Sequence, residues 1–268
     1  MMFKNIVFEK ENGIAVIRLN RPEVMNAFDI ETQEELAEAI DNIHSDGNAR
    51  VLIVTGTGRA FCAGIDISAL EGMNANQGRE FLKKVHQMMV NLVSMEKPVI
   101  AAVNGFALGG GCNLALASDI IVASENAKFS QGFVKIGLVS DMGGMYFLPR
   151  LIGLAKAKEL MFFGKTMDAK EAERIGMINR VVPEADLERV ANELAMEMAR
   201  GPLKPIGLMK AILNKSTHLD FRSLLELEFE AQMICSQTED HKKGIQAFLE
   251  RKKKIRKEIC AKDSFHKT

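Results

Sequence analysis

The residues of this 268-residue chain best suited to chemistry are its clustered glycines. Ala101-Ala102-Val103 is apolar and strand-like, Asn104-Gly105 turns, and Phe106-Ala107-Leu108 leads into Gly109-Gly110-Gly111. A helical pattern, Cys112-Asn113-Leu114-Ala115-Leu116, follows directly. Consecutive glycines leave backbone N–H groups with no Cβ in front of them. The helix that follows points its positive end at the same spot. A spot of that kind suits a developing oxyanion, such as the enolate oxygen formed when a carbonyl compound loses a neighbouring proton. A second segment, Arg59-Ala60-Phe61-Cys62-Ala63-Gly64-Ile65-Asp66, follows another β-rich run and can supply the other donor.

Other apparent motifs fail on inspection. Gly56-Thr57-Gly58 starts like a dinucleotide fingerprint, but Phe61 stands where the third glycine belongs. Gly164-Lys165-Thr166 ends like a phosphate loop, yet Glu159 replaces its first glycine. Asn214-Lys215-Ser216 is a glycosylation sequon in a chain with no sign of secretion. Cys62, Cys112, Cys235 and Cys260 are too widely spaced for a zinc site, and no histidine lies near them at ligand spacing. His44 and His218 sit among polar residues, as on an exposed surface, and no Ser–His nucleophile pair is visible.

The elements that position the glycine turns are largely readable. Ile6–Glu9 and Ile14–Leu19 read as strands joined at Asn12-Gly13. Leu36, Ala39, Ile40 and Ile43 recur at helical spacing within 32–43, and Phe81 to Leu92 do so within 78–95. Val51–Thr55, Val99–Val103 and Ile120–Ala123 are mostly apolar runs, as expected of strands covered on both faces. The alternation predicts an α/β architecture with right-handed crossovers. After Val182-Pro183 the pattern is helical: 184–200, then 206–213, 221–235 and 239–258, with Gly201-Pro202-Leu203-Lys204-Pro205 as a break. We therefore expect an α/β core over residues 1–200 and a helical subdomain over 201–268.

Apolar residues at 47%, charged residues at 26% and a net charge of zero are ordinary for a soluble globular protein, and nothing in the net charge points to nucleic-acid or membrane partners. The N-terminal Met1-Met2-Phe3-Lys4-Asn5-Ile6 lacks the pattern of a signal peptide, and no apolar run approaches a membrane span. The expected location is the cytoplasm. Arg251-Lys252-Lys253-Lys254-Ile255-Arg256-Lys257 is strongly basic. It reads either as a solvated helix end with cations at the favourable dipole terminus or as an attractor for phosphates. No aromatic residues interleave with its charges, which disfavours nucleic acid.

Taken together and in order, these segments resemble the crotonase (enoyl-CoA hydratase/isomerase) superfamily. The resemblance also covers Asn20-Arg21-Pro22, Leu148-Pro149-Arg150-Leu151-Ile152-Gly153, 171–182 and 244–250. It implies a spiral of ββα units with a C-terminal helical subdomain that packs against neighbouring subunits in a homotrimer or dimer of trimers. It implies an acyl-CoA thioester substrate gripped by the N–H groups of Ala63 and Gly110, with coenzyme A entering only as part of that substrate and no metal or redox cofactor. By the same resemblance Val24, Met25, Ala27, Ile65 and Asp66 line the coenzyme A path. Gly109, Asn113 and Phe133 belong to the acyl site. Met142, with Met73, Met88 and Met145, reads either as part of an adaptable wall around the acyl group or as core filler. Phe248 and Arg251 are assigned to substrate binding.

The chain departs from the family where hydration chemistry is done. Hydratases of this family hold a water between two glutamates. Here the first position is Asn113 and the second, in Phe129-Ser130-Gln131-Gly132-Phe133, is Phe133. Neither side chain exchanges protons at neutral pH. The acid that does occur is Asp141, in Gly137-Leu138-Val139-Ser140-Asp141-Met142-Gly143-Gly144. This pattern is most similar to the phenylacetate-pathway isomerases that rearrange ring-epoxide acyl-CoA thioesters. Beside Phe133 and Met145, Asp141 is expected to be partly desolvated with a raised pKa and to act as a proton-transfer group. Its alternative role is as a helix N-cap. The expected activity is that of an acyl-CoA isomerase, with an atypical hydratase or a non-catalytic acyl-CoA-binding protein as alternatives.

Overall fold

Asn12 and Gly13, both at positive φ (53° and 80°), close a hairpin between β1 (Ile6–Glu11) and β2 (Ile14–Leu19). The computed structural model describes residues 3–265, with side chains described for 3–69 and 71–253. Helix α1 (Ile30–Ser45) starts at Asp29, whose carboxylate accepts the Thr32 N–H at 2.8 Å. Then follow β3 (Val51–Gly56), β4 (Ala60–Cys62), α2 (Ile67–Leu70) and α3 (Ala75–Ser94). Asn74 and Gln77 form a reciprocal capping box at the start of α3, which begins that helix three residues ahead of the expected position 78.

The next elements are β5 (Val99–Val103), β6 (Phe106–Leu108), α4 (Gly110–Leu116), β7 (Ile120–Ser124) and β8 (Lys128–Ser130). They are followed by α5 (Gly144–Ile152), α6 (Leu154–Phe163), β9 (Thr166–Asp168), α7 (Ala169–Arg174), β10 (Arg180–Val182) and α8 (Leu187–Arg200). The expected helix over 184–200 begins at Leu187, because Glu184–Asp186 forms a separate 3-10 turn after Pro183.

Two sheets result, ordered β1-β2-β3-β5-β7-β10 and β4-β6-β8-β9. All neighbours are parallel except the β1–β2 and β8–β9 pairs. The chain repeatedly lays a strand in the large sheet, a strand in the small sheet, and then helix. This is the ββα spiral. Residues alternate between two cores, as the strand repeat demands. Leu52, Val54, Ala101, Val103, Ile121 and Ala123 face α1 and α3, while Val51, Ile53, Ile100, Ala102 and Val122 face α8. With both faces covered, the runs read as continuously apolar.

The chain divides into two units, Met1–Leu203 and Lys204–Thr268. The first contains both sheets and the glycine turns. Helices α9 (Leu203–Ser216), α10 (Phe221–Ser236) and α11 (Glu239–Phe265) supply the second. Among the described residues, no helix is long and apolar enough to cross a membrane.

Asn26 ties the loop after β2 to the start of β4. It is 1% exposed and at φ 57°, accepts the Arg21 N–H at 2.9 Å, and donates to Thr57 O (3.0 Å) and Ala60 O (2.7 Å). Truncation to Ala leaves the part-buried Arg21 N–H and Thr57 O without partners and takes one of two donors from the buried Ala60 O, which keeps Asn104 Nδ2 at 3.1 Å. At about 1–3 kcal/mol for each orphaned group before relaxation, Asn26→Ala is expected to lower unfolding free energy by about 3 kcal/mol in urea titration. A change below about 1 kcal/mol would contradict this account.

Candidate active site

Two turns bring backbone amides together. Gly64 (φ 93°) sits under the start of α4, so close that a Cβ there would stand 2.9 Å from Leu108 O and 3.0 Å from Gly110 N. Gly109 (φ 52°, ψ −121°) adopts a combination that side chains disfavour. Phe28 forms a parallel bridge with Ile65: its N–H donates to Gly64 O and its O accepts from Asp66 N–H, both at 2.7 Å. That pairing uses the residues on either side of Ile65, so the N–H of Ile65 points away from Phe28. It lies 3.8 Å from where a Gly110 Cβ would be. Among the described residues, no protein acceptor takes the N–H of Ile65 or Gly110.

Ala63 does not fill its expected role. Its N–H donates to Met25 O at 2.9 Å and is spent. The free amide belongs to Ile65, two residues on. Strand alternation alone would send both N–H groups to the same side; Gly64, at φ 93°, breaks it, so Ala63 faces Met25 while the pairing of Phe28 with Gly64 O and Asp66 N–H turns Ile65 N–H the other way.

Asp141 stands in a tight turn over α4. Met142 (φ 46°) and Gly143 (φ 79°) are both left-handed, and Met142 is fully buried. The Met142 Sδ lies 2.7 Å from the point a Gly110 Cβ would occupy, which places the turn against that amide. The main-chain O of Asp141 accepts Gly144 N–H (2.8 Å) and Asn113 Nδ2 (2.8 Å). Helix α5 is capped by Gly143 with no side-chain hydrogen bond, so Asp141 is not its N-cap. The Asp141 Oδ1 is buried and has no hydrogen-bond partner. Burial pushes this carboxyl above the usual carboxylate range, opposed by the charge of His86 on α3 and by a backbone hydrogen bond.

The two positions expected to have lost their acids are both in place. The Phe133 ring lies 3.6 Å from where a Gly109 Cβ would be, at the mouth of the glycine turn. Asn113 is completely buried and bonded within the protein: Oδ1 accepts Gln131 Nε2 at 2.6 Å and Nδ2 reaches Ser140 Oγ at 3.1 Å. A cavity of about 180 Å³ is lined by Gln131, Phe133, Val134, Leu138, Val139, Ser140, Met145, Met161 and Phe162. Its wall is almost wholly apolar. Met145 lines it, whereas Met88, 2% exposed, is packed in the α1–α3 core. Sequence reading missed Gln131, Ser140, Met161 and Phe162, although two amides among apolar runs (Asn113 and Gln131) were a visible sign of a buried polar network.

Val24 is exposed and Ala27 buried, on the loop whose Met25 O holds Ala63. Asp66 is engaged by the Ser68 N–H (3.1 Å) and hydroxyl (2.6 Å) and lies 3.6 Å from Arg21, so its carboxylate shapes the loop. Phe248 and Arg251 are exposed on α11 in the second unit, and the basic run from Lys254 onward lies outside the described side chains, as does Cys260. The Cys62 and Cys112 thiols flank the glycine turns, but burial pushes both up to about 12, so neither is a thiolate nucleophile at neutral pH.

The ββα spiral thus carries two unpartnered backbone amides, of Ile65 and Gly110, side by side at its glycine turns. Residues 9–258 match the family model for enoyl-CoA hydratase/isomerase, and the chain belongs to that family. It is 40% identical to a short-chain-enoyl-CoA hydratase of Clostridium acetobutylicum, over 94% of this chain and 97% of that one. It is 36% identical to a 1,2-epoxyphenylacetyl-CoA isomerase of Escherichia coli, over 92% and 96%. The crystal structure of an enoyl-CoA hydratase from Bacillus anthracis superposes with a TM-score of 0.89 at 35% identity, covering 92% of this chain and 97% of that one. The Clostridium relative, named as a hydratase, is thus more similar overall than this isomerase. Overall identity averages the whole chain and does not weigh the positions that move protons.

Proposed function

We propose that this enzyme is an acyl-CoA isomerase in which Asp141 alone carries the proton. The observation that carries this reading is the buried, unpartnered Oδ1 of Asp141, in a turn seated on Gly110, with Asn113 and Phe133 offering no second acid or base. The thioester oxygen is received by the N–H groups of Ile65 and Gly110. The Asp141 carboxylate removes a proton from the carbon beside the thioester carbonyl of a β,γ-unsaturated acyl group. The bonding pair moves to the oxygen as a dienolate, held by the two amides. The same carboxyl, now protonated, returns its proton to the γ carbon, leaving the double bond conjugated with the carbonyl. Coenzyme A enters as part of the substrate, and no metal or redox cofactor is required. The reading carries with it a cytoplasmic enzyme assembled as a trimer or dimer of trimers.

The test is incubation of purified protein with β,γ-hexenoyl-CoA in deuterated water. Label at the α and γ carbons together with conjugation of the double bond is the expected result. Crotonyl-CoA is expected to be hydrated at least about 100-fold more slowly than this isomerisation, since one of the two proton-transfer groups is missing, each worth about 10²–10⁴. Faster hydration than isomerisation would overturn the reading in favour of a hydratase. Tight binding of both thioesters with no reaction would favour a non-catalytic binding protein.

A further inference from the structure

Three hydrogen bonds among Asn113, Ser140 and Gln131 form a closed circuit, and a fourth ties it to Asp141. Asn113 Nδ2 donates to Ser140 Oγ (3.1 Å), Ser140 Oγ donates to Gln131 Oε1 (3.0 Å), and Gln131 Nε2 donates to Asn113 Oδ1 (2.6 Å). The second N–H of Asn113 goes to the main-chain O of Asp141 at 2.8 Å. Asn113, Gln131 and Ser140 are 0%, 4% and 7% exposed. Every donor runs the same way around the ring. The direction is fixed, because reversing the Asn113 amide would point an oxygen at the Asp141 carbonyl. The ring also fits against Gly144, where a Cβ would stand 2.5 Å from both Asn113 amide atoms and overlap Ser140 Oγ.

We infer that Asn113, Gln131 and Ser140 are positioning residues: the ring clamps the Ser140–Asp141 peptide and thereby aims the Asp141 carboxyl at the reacting carbon. It joins three separate elements, α4, the segment after β8, and the turn before α5. The Asp141 carboxyl itself has no hydrogen bond to orient it at Oδ1, so its direction comes from its backbone. That backbone carries a left-handed Met142, a conformation costing about 1–2 kcal/mol for a residue with a side chain. The bond from Asn113 is one of the two that hold the Asp141 carbonyl there. In a buried ring with each link satisfied, cutting one bond orphans the other partners.

The inference rests on the proposed role of Asp141, and the variants separate the two. Ser140→Ala breaks the ring at one atom while leaving the Asn113–Asp141 bond. Asn113→Asp removes both donors and adds a charge beside the turn. With β,γ-hexenoyl-CoA, Ser140→Ala is expected to lose about tenfold and Asn113→Asp about 100-fold in kcat with KM within about twofold, the scale expected when a catalytic group shifts by about 1 Å. The acid limb of the Asn113→Asp pH profile is expected to move to higher pH. A purely structural ring would lower melting temperature but leave kcat per folded site unchanged in Ser140→Ala, and that result overturns the inference. If Asp141→Asn retains wild-type turnover, the proposed function fails first. If it is inactive while both ring variants keep kcat, the ring alone fails. Should neither ring variant fold, deuterium exchange of the Asn113 side-chain N–H pair in the unaltered protein decides. Exchange as slow as core amides supports the clamp, and exchange within the dead time overturns it.

Discussion

Asp141→Asn is expected to lower kcat for isomerisation by about 10³-fold while leaving acyl-CoA binding within about twofold, since the variant keeps the shape of the side chain and loses only its proton chemistry. The rate loss is read by deuterium incorporation, and binding by titration with a saturated acyl-CoA. The wild-type pH profile belongs to the same expectation. Because burial raises the carboxyl above its ordinary range and only the ionised form takes a proton, kcat/KM should fall on the acid side at a pH above that of a solvent-exposed aspartate. Asp141→Asn should remove that limb with the activity. Stability should move the other way. A carboxyl whose folded pKa is raised favours folding only below its unfolded pKa, and this contribution disappears as pH rises through the folded value. At neutral pH the ionised, unpartnered Oδ1 therefore opposes folding, and an amide there is expected to raise the melting temperature by the equivalent of about 1 kcal/mol. An active, unchanged Asp141→Asn enzyme would exclude single-carboxylate chemistry in this protein.

Gly64→Ala is the second large effect. Its Cβ would stand 3.0 Å from Gly110 N and 2.9 Å from Leu108 O, at a residue with φ 93°. The backbone must shift to relieve the overlap, and the amides of Ile65 and Gly110 would no longer converge. Losing one donor from such a pair costs about 10²–10³ in kcat. That loss is the expected result, with circular dichroism showing the spiral retained. Gly47→Ala, where nothing lies within 4 Å of the added Cβ, is the matched control and should leave kcat unchanged. Equal activity in both variants would show that the two amides take no part.

Much of the first unit was legible because its long elements obey simple periods. Ile6–Glu11 and Ile14–Leu19 follow from the Asn12-Gly13 turn, and Val99–Val103 from its apolar run, since each is decided by neighbours in the chain. The short strands Ala60–Cys62, Phe106–Leu108, Lys128–Ser130, Thr166–Asp168 and Arg180–Val182 have no such signature. Three residues are too few to display a repeat, and their pairing comes from other turns of the spiral. The same limit explains the site. Gly110, Asn113, Phe133 and Asp141 were visible as residue types in a familiar order. Choosing Ile65 over Ala63 required knowing that Phe28 pairs across that loop. The Asn113–Gln131–Ser140 ring spans 28 positions of sequence and closes only when α4 and the turn before α5 meet.

Because the amide at position 65 is part of the main chain, the identity of the side chain there is decoupled from the electrostatics it delivers. Genetic drift at this codon can reshape the wall against which substrate rests without touching the donor, with proline the sole encoded exception because it has no N–H. Position 110 has less freedom, since a side chain there would have to displace the buried Met142 thioether, whose sulfur lies 2.7 Å from where a Cβ would stand. Of the two amides proposed to hold the oxygen, one is therefore open to evolutionary tuning of selectivity and the other is more constrained.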